Sequence, residues 1–502
     1  MDYFVERHFT YMIFPFKTKN TFTDVENIRF ERSNGKKHPI WEREALHLNK
    51  PQDDFCALFD MNNEQRNTVK MYRFNPNLSN VFGVNKTYEA ETKLGKTDVY
   101  VEGLYLYLFK TGIGFFVMKM HYDTQEAAKI LDLNYVLSEK RKEAYLFEKE
   151  DAEHKNPIPL LSFLQKALAD YMPIKDFDGE QKLQYINRKP LNYSYYFLDK
   201  KPEGNGLGQL IFDARSNYVT AYKAPDEALT LDTPYNIQTF ENSYWGVSVN
   251  GATNVSYKTG DERADNFFAG QFIQRLQGTY FAMYLLVLNR YFALKELRGR
   301  YSELDRAKIY TSEQTFKEEI CKGKMSREFL KRMERREKRE LTEYCEKVKV
   351  LNNEATIFSL ENAMIVPSNI EHVNEVYELM NKIYGIEELK NSLLQDVKSA
   401  KAIGDSYASR LEKVSDALKD LKKTKTEIFI YLMITLYGFL EIFHDLVDIV
   451  GYFLGFEILN TPYIWIPWAI ILIPVGVLVI KIISSIRDYF EKRKTLEDLI
   501  MK

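Results

Sequence analysis

The apolar positions divide the chain into three regions of different periodicity. Over residues 1–262 short apolar runs alternate between strand and helix spacing. The runs YVEGLYLYLF and IGFFVMKMHY fill the stretch from Val99 to Tyr122 and are joined by Lys110, Thr111 and Gly112, which predicts a β-hairpin. Asn250-Gly251, between SYWGVSV and ATNVSY, predicts another, because both residues tolerate the positive φ of a tight turn. Helical spacing occurs over Thr124–Lys140 and Leu160–Met172. The region reads as an α/β domain, and the whole chain as α+β.

From residue 263 the period becomes helical. Phe272, Leu276, Tyr280, Tyr284 and Leu288 share one face of a helix over 266–305. Its stretch Leu276–Asn289 is uncharged for only 14 residues, which suits a buried core helix better than a bilayer span. A strongly charged helix is expected over Thr315–Val350. After Pro367, apolar residues recur at three- and four-residue steps from Val373 through Met380, Leu393, Ala400 and Leu411 to Leu421, with no proline between 369 and 425. A rod with such a stripe is not stable alone, so self-association is expected. Gly385 and Gly404 are bends or close-packing points in it.

The third region is the most apolar. Residues 427–480 contain no Lys or Arg, and Ile458–Ile480 run 23 residues without a charge. Ile428–Leu440 is uncharged for 13 residues, and the pattern continues through Glu441, His444, Asp445 and Asp448 to Leu454. A bilayer core takes about 20 helical residues, so two transmembrane helices are expected, over 427–454 and 462–483. Lys422, Lys423 and Lys425 precede the first; Lys481, Arg487, Lys492, Arg493 and Lys494 form a basic tail after the second. Bases are retained on the cytoplasmic side, so both termini are expected there, in a multi-pass protein of the cell (inner) membrane with the lipid bilayer as partner. Tyr452, Tyr463, Trp465 and Trp468 suit an outer aromatic belt. The alternative is a buried hydrophobic hairpin. Met1–Lys17 shows no basic leader with a clean apolar core, so no signal peptide is expected.

Composition qualifies this picture. The 502 residues are 45% hydrophobic and 14% aromatic with net charge -2, which argues against disorder and against general affinity for nucleic acid. Three cysteines in so long a chain fit a reducing compartment. The mean hydropathy of -0.38 averages a polar body with the apolar hairpin. Without the five acids of 427–457 the remainder carries +3, so the hairpin is acidic and the rest mildly basic.

The first span has a polar face. At about 100° per residue, Glu441, Asp445 and Asp448 fall within about 60° of one another with His444 beside them. The same face continues inward as Tyr437, Ile434, Ile430 and Glu427. In an oligomer, Glu441, Asp445 and Asp448 would make acidic rings able to bind a metal cation, His444 would add a pH response, and Ile430, Ile434 and Tyr437 would make an apolar constriction. The alternative is a solvated helix end. Other motifs carry less. Gly204, Gly206 and Gly208 lack a P-loop Lys and read as a turn. The His and Cys residues show no metal-ligand spacing, and no triad or nucleophile elbow points to an enzyme. In the run Arg327–Arg339 glutamates are interleaved, which favours a solvated face over a phosphate or lipid-headgroup site.

An α/β domain, intervening helices, a long helix continuing into an apolar span, a short loop, a second span and a basic tail together resemble the CorA family of divalent-cation transporters. The layout would be a sensor domain over 1–262, a helical domain over 263–367, a stalk over 368–426, the pore helix over 427–454, an outer loop over 455–461, the second span over 462–483 and the tail over 484–502. The resemblance implies a pentameric funnel, with Mg2+ or a similar divalent ion as the transported species. The family's Gly-Met-Asn signature is absent; the glycines here read Gly438-Phe439-Leu440, Gly451-Tyr452-Phe453 and Gly455-Phe456-Glu457. The enlarged N-terminal domain and the basic helix resemble the branch found beside type III CRISPR systems. That branch implies gating by an adenylated second messenger such as SAM-AMP, in antiviral defence. A constitutive metal transporter and a membrane-anchored enzyme or scaffold are the alternatives.

Overall fold

The computed structural model describes residues 3–17, 29–31, 37–48, 51–60, 66–75, 87–138, 145–148, 158–159, 190–218, 223–304, 327–361, 366–453 and 465–501. The expected helix over 160–172, the start of the charged helix over 315–326 and the outer loop 455–461 lie outside these residues. Two compact units emerge, one from residues 1–299 with 354–394, the other from 300–353 with 395–502.

The first unit is built on a twelve-stranded sheet. Its strands are β1 (Val5–Lys17), β4 (Trp41–Arg43), β5 (Val69–Phe74), β6 (Thr87–Thr92), β7 (Gly95–Phe109), β8 (Ile113–Tyr122), β9 (Tyr145–Glu148), β10 (Ile158–Pro159), β11 (Leu191–Leu198), β12 (Asn236–Phe240), β13 (Ser243–Ser248) and β14 (Gly251–Tyr257), while β2 (Arg29–Glu31) and β3 (Lys37–Pro39) pair with each other apart from it. Helices α1 (Asp53–Phe59) and α4 (Asp226–Leu229) are short. The central order is β6-β7-β8-β1-β11-β14-β13-β12, and β7 is long enough to pair with β5 on the edge it also gives to β6. These pairs are antiparallel except β11 with β14, which is parallel.

Both expected hairpins form. At the first, Gly112 takes φ +80° and closes the turn with its N–H on the Phe109 carbonyl at 3.0 Å. At the second, Ser248 pairs with Gly251, so Val249 and Asn250 are the turn residues, and neither Asn250 nor Gly251 has a positive φ. Gly251 is needed for another reason: a Cβ there would lie 2.4 Å from the carbonyl oxygen of Asn192 on the neighbouring strand.

The period of two gives the sheet two apolar faces, as a central sheet covered on both sides requires. Met12, Phe14, Leu106, Phe116, Met118, Tyr122, Tyr196 and Leu198 form one core with α2 (Ala127–Ser138) and α3 (Gly206–Ser216). On the opposite face lie Tyr11, Tyr193, Tyr195 and Trp245, against α5, the helix over 262–302. Tyr11 meets Phe281 edge-on at 4.6 Å and Trp245 lies 4.9 Å from Tyr280. The stretch Leu276–Asn289 is buried in this core, as its length predicts.

Helix α5 contains two π-helical turns, Phe267–Gln271 and Leu276–Tyr280. Each turns a carbonyl toward the sheet: Tyr195 donates its hydroxyl to the Phe268 carbonyl at 3.0 Å, and Tyr193 to that of Leu276 at 2.8 Å. Helix α7 (Glu371–Ile383) ends at Gly385, whose φ of +60° breaks the long apolar stripe before α8 (Ile386–Phe453) begins. Gly385 is therefore a bend.

In the second unit Gly404 is a close-packing point: a Cβ on it would touch the Tyr344 ring at 3.5 Å, and Tyr344 donates its hydroxyl to the Ala400 carbonyl at 3.0 Å. Helix α9 (Trp465–Met501) runs antiparallel to α8, with Lys492 donating to the Thr424 hydroxyl at 3.1 Å and Lys481 over the Tyr431 ring at 6.0 Å.

The fold is α+β as expected, but its C-terminal part corrects the expectation. Among the described residues no helix is long and apolar enough to cross a membrane, which overturns the two transmembrane helices placed over 427–454 and 462–483. Glu427, Glu441, Asp445 and Asp448 lie in the same helix as the first apolar stretch. The second stretch is described from Trp465 onward, in α9, and Lys481 follows within the same helix.

Candidate functional site

The first unit offers an open groove of about 1040 Å³ where α5 begins, lined by Phe240, Asp261, Arg263, Asn266, Phe267 and Gln271 among others. Local chemistry fixes its rim. Asp261 caps the helix by accepting from the Arg263 and Ala264 N–H groups at 2.8 and 3.2 Å. The Asp265 carboxylate accepts from the backbone N–H groups of Thr259 at 2.9 Å and Gly260 at 3.2 Å, and Gly260 supplies φ +87°. The first π-helical turn then follows. Such turns shift the side chains after them out of α-helical register and recur at functional sites.

The groove's wall is aromatic. Phe240 lies 5.6 Å from Phe268, 6.1 Å from Phe272 and 4.7 Å from the imidazole of His372. The Arg275 guanidinium stacks over Phe267 at 5.0 Å, and its Nε has no hydrogen-bond partner. Burial holds the His372 imidazole below its ordinary pKa; Glu375 opposes that shift and Arg275 adds to it. Half-buried rings beside amides and charges of both signs suit a small ligand with a planar part. Neither the groove's composition nor its spacing was legible in the sequence; the Phe267-Phe268 pair just after a helix-capping Asp261 was the available signal.

The residues expected to line a pore lie on α8, in the second unit. Ile430, Ile434 and Tyr437 are 48%, 50% and 67% exposed, and Glu441, His444 and Asp445 are exposed on the same helix. Asp448 continues it, its side chain lying outside the described residues, as do those of Tyr452, Trp465 and Trp468; Tyr463 falls outside altogether. Among the described residues no group of His, Cys, Asp or Glu is gathered to hold a metal. The basic tail sits on α9: Lys492 pairs with Asp488 at 3.0 Å, and Lys481, Arg487 and Lys494 are exposed, with Arg493 half-buried.

The basic run on α6 (Arg327–Glu361) lines a shallow cavity of about 430 Å³ with Arg335, Lys338, Arg339 and Thr342. Its glutamates pair along the helix, Glu340 with Arg336 at 2.9 Å and Glu343 with Lys347 at 2.8 Å, as on a solvated face. The glycine cluster serves packing. Gly204 turns the chain with φ +53°, and a Cβ on Gly208 would lie 2.0 Å from the Leu229 carbonyl oxygen.

No family model and no curated protein matches this chain.

Proposed function

We propose that the protein is a ligand-gated cation-conducting effector that works as an oligomer at a membrane, with a nucleotide second messenger such as SAM-AMP as its ligand, in type III CRISPR antiviral defence. The observation that carries this reading is the exposed apolar surface of the second unit. Phe429, Leu432, Leu436, Phe439 and Leu440 on α8, with Ile480, Ile483 and Phe490 on α9, are each at least half exposed. So large an apolar patch on a single chain marks a surface for lipid or for further copies. The acidic residues Glu441 and Asp445 stand beside it, where several copies would concentrate cations. The CorA resemblance supports the same activity, and the groove of the first unit suits a ligand with a planar base. Lipid contact and conduction are assigned to the assembled oligomer. Purified protein in liposomes, assayed for cation flux with and without the messenger, tests the proposal; an impermeable preparation under both conditions overturns it.

The lack of a spanning helix among the described residues favours a second reading, a non-conducting scaffold held at the membrane surface by the same apolar patch. Under it, replacing Glu441 and Asp445 together with alanine leaves cellular activity unchanged.

A further inference from the structure

Beneath the sheet's β12–β13 edge, a buried arginine has no carboxylate partner among the described residues. Arg215, 4% exposed near the end of α3, donates through Nη1 to the Val247 carbonyl at 3.2 Å, while its Nε has no acceptor. No acid lies within ion-pair distance among the described residues. Its guanidinium is held by rings, with Tyr235 at 4.5 Å and Phe212 at 5.5 Å. Beside it Asn236, 8% exposed, has neither its amide nitrogen nor its amide oxygen hydrogen-bonded.

The two side chains converge on a glycine. A Cβ on Gly246 would lie 3.1 Å from Arg215 Cδ and 3.4 Å from Asn236 Oδ1. An uncompensated buried cation and an unsatisfied buried amide are each costly, and here they are neighbours. Tyr235, whose ring lies over the guanidinium, is 44% exposed.

We propose that Arg215 and Asn236 form the inner end of a binding site for a phosphoryl group, reached past Tyr235. Phosphoryl oxygens accept from Arg215 Nε and Asn236 Nδ2, which supplies the missing counter-charge. Asn236 Oδ1 requires a donor, which a hydroxyl beside the phosphoryl group provides. A phosphorylated sugar meets both needs, and Tyr235 offers a ring on which a nucleobase can stack. The biological meaning rests on the first unit being a ligand sensor, but binding is measured without the flux assay, so either can fail while the other stands.

The test is isothermal titration of the full chain with AMP, adenosine and inorganic phosphate. The expected result is one AMP per chain and no detectable adenosine binding at the same concentration. Phosphate binding as well shows that the phosphoryl group alone suffices; AMP binding without phosphate shows that a nucleotide is the source. Asn236→Ser and Tyr235→Ala should each weaken AMP at least tenfold with an unchanged circular dichroism spectrum, and these two decide the matter if Arg215→Gln does not fold. Failure of both AMP and phosphate to bind at millimolar concentration, adenosine binding as tightly as AMP, or affinity unaltered in both folded variants would overturn the proposal.

Discussion

The imidazoles of His8 and His121 stack with centroids 4.5 Å apart and planes 18° from parallel. His8 is buried, and its Nε2 accepts the Tyr122 N–H at 3.1 Å, which requires the neutral ring. Burial, and then the charge of His121, push the His8 pKa down to about 3. The unfolded chain therefore binds a proton here between about pH 6.5 and 3 that the folded chain does not. The stabilisation from neutral His8 is complete above about pH 6.5 and is lost as pH falls, on the order of a few kcal/mol.

Asp213 acts with the opposite sign. It is fully buried on α3, accepts from Gln209 at 2.9 Å, and burial raises its pKa to about 7. Its neutral form stabilises the fold fully below about pH 4, and that contribution is lost as pH rises through 7. Between about pH 4 and 6.5 the two proton balances cancel. Asp213→Asn should therefore uncover a loss of stability on acidification, and His8→Gln a loss on going from pH 4 to 7. Urea midpoints of both variants at pH 5 and 7 check this; parallel shifts in the two proteins would contradict it.

Gly208→Ala should destabilise the first unit by about 1–3 kcal/mol, since the added methyl would overlap the Leu229 backbone carbonyl rather than a movable side chain. Gly204 differs: nothing lies within 4 Å of its Cβ position, but φ is +53°. Gly204→Asn should cost far less than Gly204→Val. Thermal unfolding of the three variants gives the comparison.

Tyr284 and Tyr384 join hydroxyls at 2.9 Å, one on α5 and the other just before the Gly385 bend. A double-mutant cycle with Tyr284→Phe and Tyr384→Phe should return a coupling of about 0.5–1.5 kcal/mol. Strictly additive losses would show that the bend is held by other contacts.

Ile434→Glu combined with Leu436→Glu should lower the mass of the detergent-solubilised particle while leaving the tyrosine-rich core of the first unit intact. Both residues are at least half exposed, so neither supports the fold of the single chain. Light scattering with near-ultraviolet circular dichroism reads both effects. An unchanged mass would remove this face from the oligomer.

What the sequence disclosed followed periodicity. The hairpin at Gly112 and the buried Leu276–Asn289 helix were readable because a period of two or of 3.6 leaves a direct trace in apolar positions. The π-helical turns were not, since one extra residue per turn hardly changes the stripe from Phe272 to Leu288. Arg215 and Asn236 were equally hidden: one lies on α3 and the other at the start of β12, and they meet only through tertiary folding. The C-terminal stretches misled because hydropathy averages over a window, whereas helix ends and embedded acids such as Glu441 and Asp445 decide what a helix can cross.

The place of β11 in the sheet also sets the order in which this protein can be assembled on the ribosome. Strand β1, 13 residues long, pairs with β8 on one side and β11 on the other. Once β8 has emerged, the other edge of β1 stays open until Leu191–Leu198 is synthesised. At about 5–20 residues per second that takes on the order of several to fifteen seconds. Throughout it an apolar strand edge containing Phe9, Tyr11 and Ile13 is available to any neighbouring nascent chain. Translation speed between β8 and β11 is thus a determinant of yield, and slowing it should favour inclusion bodies unless a chaperone guards that edge.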